Sequence, residues 1–559
     1  MCGIFLYACP TGGPQEGQFA EVAAEFDKIK HRGPDNSSLK KINRKDSVVY
    51  IGFHRLAIMD PSENGDQPFE YKDATCVCNG EIYNYKEIAN QLIYNNWYEC
   101  MSGSDCEVIL PLFRNLGMEQ TCDVLDGEFA FIIYDHQSGQ IFAGTDFLRT
   151  RPLFIGHGVA GSNIYAISSE IKSLQNLPGI TSINPFPPGT WWSSNEPFVF
   201  NKYTDSFSSI RCNQFTDLES IHLNVNTMFT NAVKVRMSAD QDIGFFLSGG
   251  VDSSLCSLVG SKLSSKPIMT FTASFSPDGP DILASRKVVE KIKSNHHEVI
   301  FSIEDGIAAI PRTIKALESY CCTTVRASVP QLLLSEWIHT NYPNIKVMIS
   351  GENADETFCG YEYFKYAPSA VASRNESIKL LENVHLYDAL RADRTVSSVG
   401  IELRVPFTDR TLVEYVLSLQ PEIVRAPTPE EMKQNVPGEI PRFIEKKILR
   451  DAFKDQGLPE SVLYRSKMGL SDSCSMSWVD SIKRYAEETV NSNRFELRHL
   501  CFPINTPRTK EEFMYREIFE RMYPNNENII NGHWMPNQDW FDTPLTDPSA
   551  RIIGTFVGK

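Results

Sequence analysis

A cysteine occupies the second position of the chain, directly after Met1 and before Gly3. Removal of Met1 would leave Cys2 with a thiol and a free α-amine on the same residue. An α-amine has a pKa of about 8 and can accept the thiol proton, so one residue would supply both the nucleophile and its base. Cys2 is therefore a candidate N-terminal nucleophile. Taken alone, the position favours the simpler interpretation, an ordinary residue of an early strand.

Four short polar segments follow Cys2 along the chain, and their order strengthens the first interpretation. They are HRGPD at 31–35, FHRL at 53–56, NGEIYN at 79–84 and SGSD at 102–105. Behind an N-terminal cysteine, these segments resemble the class II, N-terminal-nucleophile glutamine amidotransferases. The resemblance implies that Cys2 attacks the side-chain amide of glutamine and forms a thioester.

The resemblance also implies roles for the matched residues. Arg55 would hold the carboxylate of glutamine, because a guanidinium and a carboxylate can form two parallel hydrogen bonds. The Asn79 side chain and the Gly80 backbone N–H would form the oxyanion hole, where negative charge develops during attack. Asp105 would pair with the ammonium group of glutamine, and Glu81 is expected to contribute to the same binding site.

One segment departs from the pattern of this family. The usual Arg-Asp-x-x-Gly-x-Arg/Lys-Pro-Leu reads TDFLRTRPL at 145–153, with Thr145 in place of the first Arg and Arg149 in place of Gly. A residue with a side chain does not easily adopt a positive φ. We therefore expect an altered backbone at Arg149.

A second motif, SGGVDSS at 248–254, follows an apolar strand candidate and precedes a helix candidate. Small residues at such a junction let backbone N–H groups face an anion, and the helix N-terminus adds its dipole. The motif is not a GxxxxGK[ST] loop. It resembles the SGGxDS pyrophosphate loop of the ATP pyrophosphatases, and the alternative is a plain glycine-rich turn.

Later segments resemble the glutamine-dependent asparagine synthetases, and this resemblance extends from Cys2 to about residue 551. Two departures occur: Asn353-Ala354 replaces Gly-Ser, and Cys321-Cys322 replaces an Asp and an apolar residue. The segments that carry the resemblance are ESYCCTTVRAS at 318–328, SGENADE at 350–356, RADR at 391–394, GIELRVPF at 400–407, RSK at 465–467, NTP at 505–507 and DPS at 547–549.

This resemblance implies a second site that binds ATP, aspartate and Mg²⁺. Asp252 and Asp355 would hold Mg²⁺, which prefers hard oxygen ligands. Lys467 would neutralise the departing diphosphate, and Glu352 would deprotonate the attacking ammonia. The residues expected to bind ATP are Leu247, Ser248, Gly249, Gly250, Asp252, Ser253, Ser274, Ser350, Gly351, Asp355 and Lys467, and those expected to bind aspartate are Thr323, Thr324 and Arg326.

The implied reaction is glutamine-hydrolysing asparagine synthesis. Glutamine hydrolysis at Cys2 would release ammonia, which would attack β-aspartyl-AMP formed from ATP and aspartate, giving asparagine, glutamate, AMP and diphosphate. A related ligase similar to the β-lactam synthetases is one alternative, although an intact Cys2 argues against it. A degenerate, non-catalytic homologue is the other, and it depends on the departures at 145, 149 and 353–354.

Two fold classes are expected along the chain. Short strand candidates such as 48–53, 74–78 and 129–134 predominate in the first 200 residues, whereas strands and helices alternate after about residue 216. Alternation of this kind predicts a parallel, doubly wound sheet. Together with the two resemblances, these patterns imply an α+β N-terminal-nucleophile (αββα) glutaminase domain at 2–205, followed by an α/β doubly wound ATP pyrophosphatase-like domain at 213–559.

Length, charge and composition exclude several classes of protein. A chain of 559 residues is too long for one ordinary hydrophobic core. A net charge of −16 disfavours nucleic-acid binding, and no apolar run approaches the roughly 20 residues that span a bilayer. The 14 cysteines are scattered rather than arranged as a disulfide scaffold, so we expect a cytoplasmic enzyme. Its expected partners are small-molecule substrates, and a homodimer is compatible with the resemblance.

Overall fold

A computed structural model describes residues 1–12, 19–205, 207–214, 216–469, 474 and 477–547. The chain divides into two compact units. The first contains residues 1–205 together with the short segments 239–242 and 396–402, and the second contains the rest of the chain. Within the described ranges, no helix is long and apolar enough to cross a bilayer.

The first unit contains two six-stranded antiparallel sheets. Its strands are β1 Gly3–Pro10, β2 Asn36–Asn43, β3 Ser47–Arg55, β4 Phe69–Glu70, β5 Ala74–Ile82, β6 Gly127–Asp135, β7 Ile141–Thr145, β8 Phe154–His157, β9 Tyr165–Ser168, β10 Ser182–Pro185, β11 Thr190–Ser193 and β12 Phe200–Lys202. Its helices are α1 Phe19–Asp27, α2 Tyr85–Tyr94, α3 Ile109–Leu116 and α4 Met118–Val124.

Side-chain alternation along the strands builds the layers of this unit. In β6, Ala130 and Ile132 belong to the apolar cluster that also contains Ile4 and Leu6 of β1, so this core lies between the two sheets. The alternate residues of β6, including Phe131, belong to a second cluster shared with the helical residues. Because successive side chains of a strand point to opposite faces, one strand serves both cores. The predicted αββα architecture is confirmed.

The second unit is built around a five-stranded sheet with the order β15-β14-β13-β16-β17. Its strands are β13 Asp242–Phe246, β14 Met269–Ser274, β15 Asn295–Ile300, β16 Ile345–Ile349 and β17 Glu402–Arg404. The pairs β13–β14 and β14–β15 are parallel. In such a sheet, ligands bind beyond the carboxyl ends of the strands where the strand order reverses. That point lies between β13 and β16, and the predicted doubly wound fold is confirmed.

Helices cover this sheet and form the remainder of the second unit. They are α5 Leu218–Arg236, α6 Val251–Leu263, α7 Pro280–Ile292, α8 Ile303–Leu317, α9 Cys322–Asn341, α10 Ala354–Thr357, α11 Ala370–Asn383, α12 Asp388–Ser397, α13 Arg410–Ser418, α14 Pro421–Val424, α15 Pro429–Met432, α16 Lys447–Ala452, α17 Glu460–Leu463, α18 Trp478–Thr489, α19 Ser492–Glu496, α20 Arg498–Cys501 and α21 Lys510–Met522.

Candidate active sites

Cys2 lies directly before β1, which is hydrogen-bonded between β3 and β9, so the sheet fixes its position. The backbone N–H of Cys2 donates to Asn79 Oδ1 at 2.8 Å. The Leu56 N–H lies 3.5 Å from Cys2 Sγ. Burial raises the pKa of the Cys2 thiol to about 11. The thiol is therefore protonated at neutral pH and needs a base when it attacks.

Asn79 is the side chain best suited to stabilise an oxyanion near Cys2. It lies on β5 and is fully buried. Its Oδ1 accepts from Cys2, whereas its Nδ2 has no hydrogen-bond partner among the described residues. A buried donor without a partner costs about 1–3 kcal/mol, and an oxyanion would satisfy it. Gly80, the second predicted donor, follows Asn79 in the same strand.

Met1 fills a buried space beside Cys2. Its α-ammonium lies 3.3 Å from the Glu402 carboxylate, and Arg151 Nη1 lies 3.1 Å from its thioether sulfur. Burial lowers the pKa of this α-amine below its ordinary value. While Met1 is attached, the nitrogen of Cys2 is an amide and cannot act as a base.

The predicted glutamine-binding residues lie in two settings. Asp105 and Glu81 are buried, and Asp105 Oδ2 accepts the Ile82 N–H at 2.6 Å. Burial, and then the charges of nearby carboxylates including Asp105 and Glu81, raise the pKa of Tyr85. The two carboxylates therefore create a negative field, which suits a substrate ammonium group.

Arg55 is already engaged by the protein. Its guanidinium pairs with the Asp66 carboxylate at 2.5 Å, and it donates to the backbone carbonyls of Asp60 and Ser62. A glutamine carboxylate would therefore share Arg55 with Asp66.

Arg149 adopts a left-handed backbone conformation, which is unfavourable for a residue with a side chain. Its φ is +51°, so the expectation of an altered backbone at this position is wrong. The buried guanidinium donates to the Phe186 carbonyl at 2.7 Å and lies 5.4 Å from the ring centroid of Phe154. These interactions offset the backbone strain. At Thr145, the hydroxyl lies 3.1 Å from the Pro187 carbonyl oxygen.

A cavity in the second unit lies at the carboxyl ends of β13 and β16. Gly249 has a φ of +71°, as a tight turn requires. A Cβ on Gly351 would lie 2.6 Å from the Ser253 backbone nitrogen, so the two loops meet only because residue 351 is glycine. The predicted residues that line this cavity are Leu247, Ser248, Gly250, Asp252, Ser253, Ser350, Gly351, Glu352, Asp355 and Lys467.

Two lysines and two aspartates form an alternating charge cluster in this cavity. Lys446 Nζ lies 2.6 Å from Asp252 Oδ2 and 2.6 Å from Asp355 Oδ1. Lys467 Nζ lies 2.6 Å from Asp355 Oδ2. Burial alone would raise the pKa of Asp355, but the two ammonium groups outweigh it and hold that pKa at about 2. Asp355 is therefore ionised at neutral pH.

Lys446 was missed in the sequence analysis because Glu445-Lys446-Lys447 reads as a solvated charge run. In the structure, its side chain is buried and its φ is +56°. A left-handed lysine is uncommon and often marks a functional position. By contrast, Ser274 does not line the cavity. Its hydroxyl lies 2.6 Å from the Cys474 carbonyl oxygen, so the predicted role of Ser274 in ATP binding gains no support.

The aspartate pair fits a divalent cation held jointly by protein and nucleotide. Asp252 Oδ1 is buried without a hydrogen-bond partner in the described part of the chain. Those residues contain no cluster of three or more His, Cys, Asp or Glu side chains that could hold a metal alone. Mg²⁺ is commonly bound by one or two carboxylates, with phosphate oxygens and water completing its coordination.

Glu352 lines the same cavity and is held by an arginine. Its Oε2 accepts from Arg391 Nη2 at 2.5 Å, and Arg391 Nη1 donates to Gln331 Oε1 at 2.7 Å. The next residue, Asn353, has a φ of +68°. Asn tolerates the left-handed region better than most residues, so it can replace the glycine of the family pattern at this turn.

The predicted aspartate-binding residues lie at the start of α9 and not in the lining of the cavity. Thr323 Oγ1 is buried with no hydrogen-bond partner among the residues that the structure describes. Cys321, at the N-cap position, makes no side-chain capping bond. Arg326 is buried and bound to two carboxylates, those of Glu511 and Asp547.

Comparisons with known proteins match both units. Residues 1–184 match the family described as a glutamine amidotransferase domain, and residues 224–382 and 365–541 match the family described as asparagine synthase. The chain is 38% identical to the glutamine-hydrolysing asparagine synthetase of Gallus gallus, over 99% of this chain and 98% of that protein. It is 38% and 37% identical to those of Mus musculus and Homo sapiens, each over 94% of both chains.

Proposed function

The chain belongs to the family of glutamine-hydrolysing asparagine synthetases, and from that premise we propose which residues carry each half of its reaction. The enzyme is an ATP-dependent carbon–nitrogen ligase that uses glutamine as the amide donor to convert aspartate into asparagine. The comparisons give no support to a β-lactam-forming ligase.

In the glutaminase half, Cys2 is the proposed nucleophile and its own α-amine the base. The thiol is neutral and its sulfur contacts backbone groups of Leu56, so the base has to come from elsewhere. After removal of Met1, the amine bound to Asn79 Oδ1 is the nearest candidate. The Asn79 Nδ2 group and the Gly80 N–H would then stabilise the oxyanion, while Arg55, Asp105 and Glu81 would bind the charged groups of glutamine.

In the synthetase half, the carboxylate of aspartate attacks the α-phosphorus of ATP, forming β-aspartyl-AMP and releasing diphosphate. The alternating cluster of Lys446, Asp252, Asp355 and Lys467 is the observation that carries this assignment. The lysines would neutralise the diphosphate as it leaves, and Asp252 and Asp355 would hold Mg²⁺. Bound Mg²⁺ supplies charge neutralisation at the phosphates.

Glu352 is the proposed base for the second step, in which ammonia attacks the activated aspartate. Ammonia gains a positive charge as it forms the new C–N bond, and a carboxylate can accept the released proton. Arg391 and Gln331 would fix the orientation of this carboxylate.

Aspartate is proposed to bind at the N-terminus of α9. The first turn of a helix offers N–H groups and a positive dipole to a carboxylate. Thr323, whose hydroxyl has no partner among the described residues, would complete the site together with Thr324 and Arg326.

The proposed location is the cytoplasm. All fourteen cysteines are free thiols, as is usual in reducing compartments. The proposed partners are glutamine, aspartate and ATP, and a homodimer stays a prediction.

A single experiment tests which unit carries out each half of the reaction. Incubation with ¹⁵N-amide glutamine, aspartate and ATP should place the label in asparagine, with AMP and diphosphate formed in equal amounts. Asp252→Asn should abolish aspartate-dependent diphosphate release and spare glutamine hydrolysis. The exposed Asp278→Asn serves as the matched control. Normal diphosphate release by Asp252→Asn would remove the alternating cluster from the nucleotide site.

A further inference from the structure

Arg326 is saturated by two internal carboxylates. Its Nε and Nη2 donate to the two oxygens of Glu511 at 2.7 and 2.6 Å, and its Nη1 and Nη2 donate to the two oxygens of Asp547 at 3.1 Å each. Both pairings are bidentate, the geometry by which a guanidinium also recognises a carboxylate ligand. A substrate carboxylate cannot reach this guanidinium while both are in place.

The two internal carboxylates are not held equally. Glu511 is the closer one, and Tyr515 Oη also donates to Glu511 Oε1 at 2.9 Å. Asp547 makes longer bonds to Arg326, and Lys483 Nζ lies 2.7 Å from its Oδ2. The Lys483 side chain is 37% exposed, so water screens this second ion pair. Asp547 is therefore the carboxylate that a competitor would displace.

Charge balance leads to the same conclusion. Arg326 and Lys483 contribute two positive charges, while Glu511 and Asp547 contribute two negative charges. A third carboxylate would add an unbalanced negative charge next to buried groups, which is energetically costly. Exchange of one carboxylate for another keeps the balance. The hydroxyl of Thr323, one helical turn before Arg326, has no partner in the described structure and is available to the incoming group.

We propose that Asp547 is an internal mimic of the substrate, occupying on Arg326 the place of a carboxylate of aspartate until the substrate displaces it. This proposal rests on the proposed function, in which Arg326 belongs to the aspartate site. It assigns to Asp547 and Lys483 control over how tightly aspartate binds.

The test is the dependence of diphosphate release on aspartate concentration in the Asp547→Asn enzyme. The amide keeps the size of the side chain but loses its charge, and a neutral hydrogen bond is weaker than a charge-assisted one. The KM for aspartate should fall about tenfold. The KM for ATP and the rate of glutamine hydrolysis should not change. Asp542→Asn, an exposed position on the same segment, is the matched control.

A second measurement uses the unmodified enzyme and needs no variant to fold. Addition of aspartate should increase hydrogen exchange in peptides that cover residues 541–547, with a midpoint equal to the dissociation constant of aspartate. An unchanged or higher KM in Asp547→Asn, or unchanged or slower exchange at 541–547, would overturn the proposal.

The Arg326→Lys enzyme separates failure of this proposal from failure of the aspartate site itself. If Arg326 binds aspartate, Arg326→Lys raises the KM for aspartate, whatever Asp547 does. A raised KM in Arg326→Lys together with an unchanged KM in Asp547→Asn would reject the mimic alone. Unchanged values in both would reject Arg326 as a substrate-binding residue. Intact glutaminase activity in each preparation serves as the control for folding of the first unit.

Discussion

The two candidate centres of this molecule differ in the polar groups that contact their proposed catalytic side chains. At Cys2, the backbone N–H donates to the neutral amide of Asn79, and the thiol contacts the backbone of Leu56. In the cavity of the second unit, two lysines and two aspartates alternate with 2.6 Å between neighbouring nitrogen and oxygen atoms. The first centre has to stabilise one oxyanion formed from a neutral amide, which fixed dipoles accomplish well. The second has to receive a polyanion, which requires charges that can exchange partners.

Removal of the Cys2 thiol should give the largest effect on activity, and it should affect only the glutaminase centre. Cys2→Ala removes the nucleophile, so glutamine hydrolysis should fall on the order of 10⁴–10⁶-fold. Asparagine synthesis from ammonium salts should continue, because the charge cluster is untouched. Glutamate release and asparagine formation are measured in parallel, with the exposed Cys212→Ala as control. Loss of ammonia-dependent synthesis would show that the two chemistries are not separable.

The reciprocal change is Glu352→Gln in the second unit. The variant keeps the size of the side chain but cannot accept a proton, and general-base catalysis contributes about 10²–10⁴-fold. Asparagine formation should fall within that range while glutamine hydrolysis persists. Glu304→Gln, at an exposed position, is the control. Unchanged synthesis would remove Glu352 from the mechanism.

Asn79→Asp tests whether a fixed dipole is the active element near Cys2. The substitution keeps the acceptor for the Cys2 nitrogen and removes the Nδ2 donor, which has no partner in the described part of the chain. Loss of one oxyanion donor costs about 10²–10³-fold in kcat, so glutaminase turnover should fall by at least that much. The control is the exposed Asn195→Asp. An effect on the KM for glutamine without an effect on kcat would contradict the role in the oxyanion hole.

Arg149→Gly should give the smallest effect and tests how the first unit tolerates an irregular loop. Glycine would relieve about 1–2 kcal/mol of left-handed strain. The variant would also lose the buried guanidinium bond to the Phe186 carbonyl and the packing against Phe154, together worth more than that. The free energy of unfolding should therefore decrease by about 2 kcal/mol, as measured by urea denaturation. A gain in stability would mean that backbone strain dominates at this position.

The sequence could predict features that depend on local motifs, but not side-chain pairs that lie far apart along the chain. Loops at strand ends carry short, ordered motifs, and residues of SGGVDSS and SGENADE line one cavity at the switch point of the doubly wound sheet. Their assignment to ATP stays a prediction. The strand candidates predicted only that the first unit is rich in β-structure, and its layers were expected from the resemblance to the N-terminal-nucleophile amidotransferases. Lys446 could not be predicted, because its partners lie 91 and 194 residues away and its own neighbours read as a surface charge run.

The expectation from the sequence was wrong where side-chain contacts offset an unfavourable backbone conformation. Arg149 and Asn353 both occupy left-handed positions where the family has glycine. The Phe186 carbonyl that accepts from the Arg149 guanidinium lies 37 residues away in sequence, so the steric rule alone gave the wrong result. The saturation of Arg326 by Glu511 and Asp547 was equally inaccessible from spacing, because those carboxylates follow it by 185 and 221 residues.

The burial of Met1 limits when an aminopeptidase can remove this residue. The residue has no exposed surface in the folded chain, and its ammonium group faces Glu402. An aminopeptidase has to bind the terminal residue, so we expect Met1 to be removed before the first unit folds. Chains that fold before they are trimmed would be trapped as a synthetase able to use free ammonia but not glutamine. Strong overexpression should enrich this trapped species, visible by intact-mass measurement as a population that retains Met1.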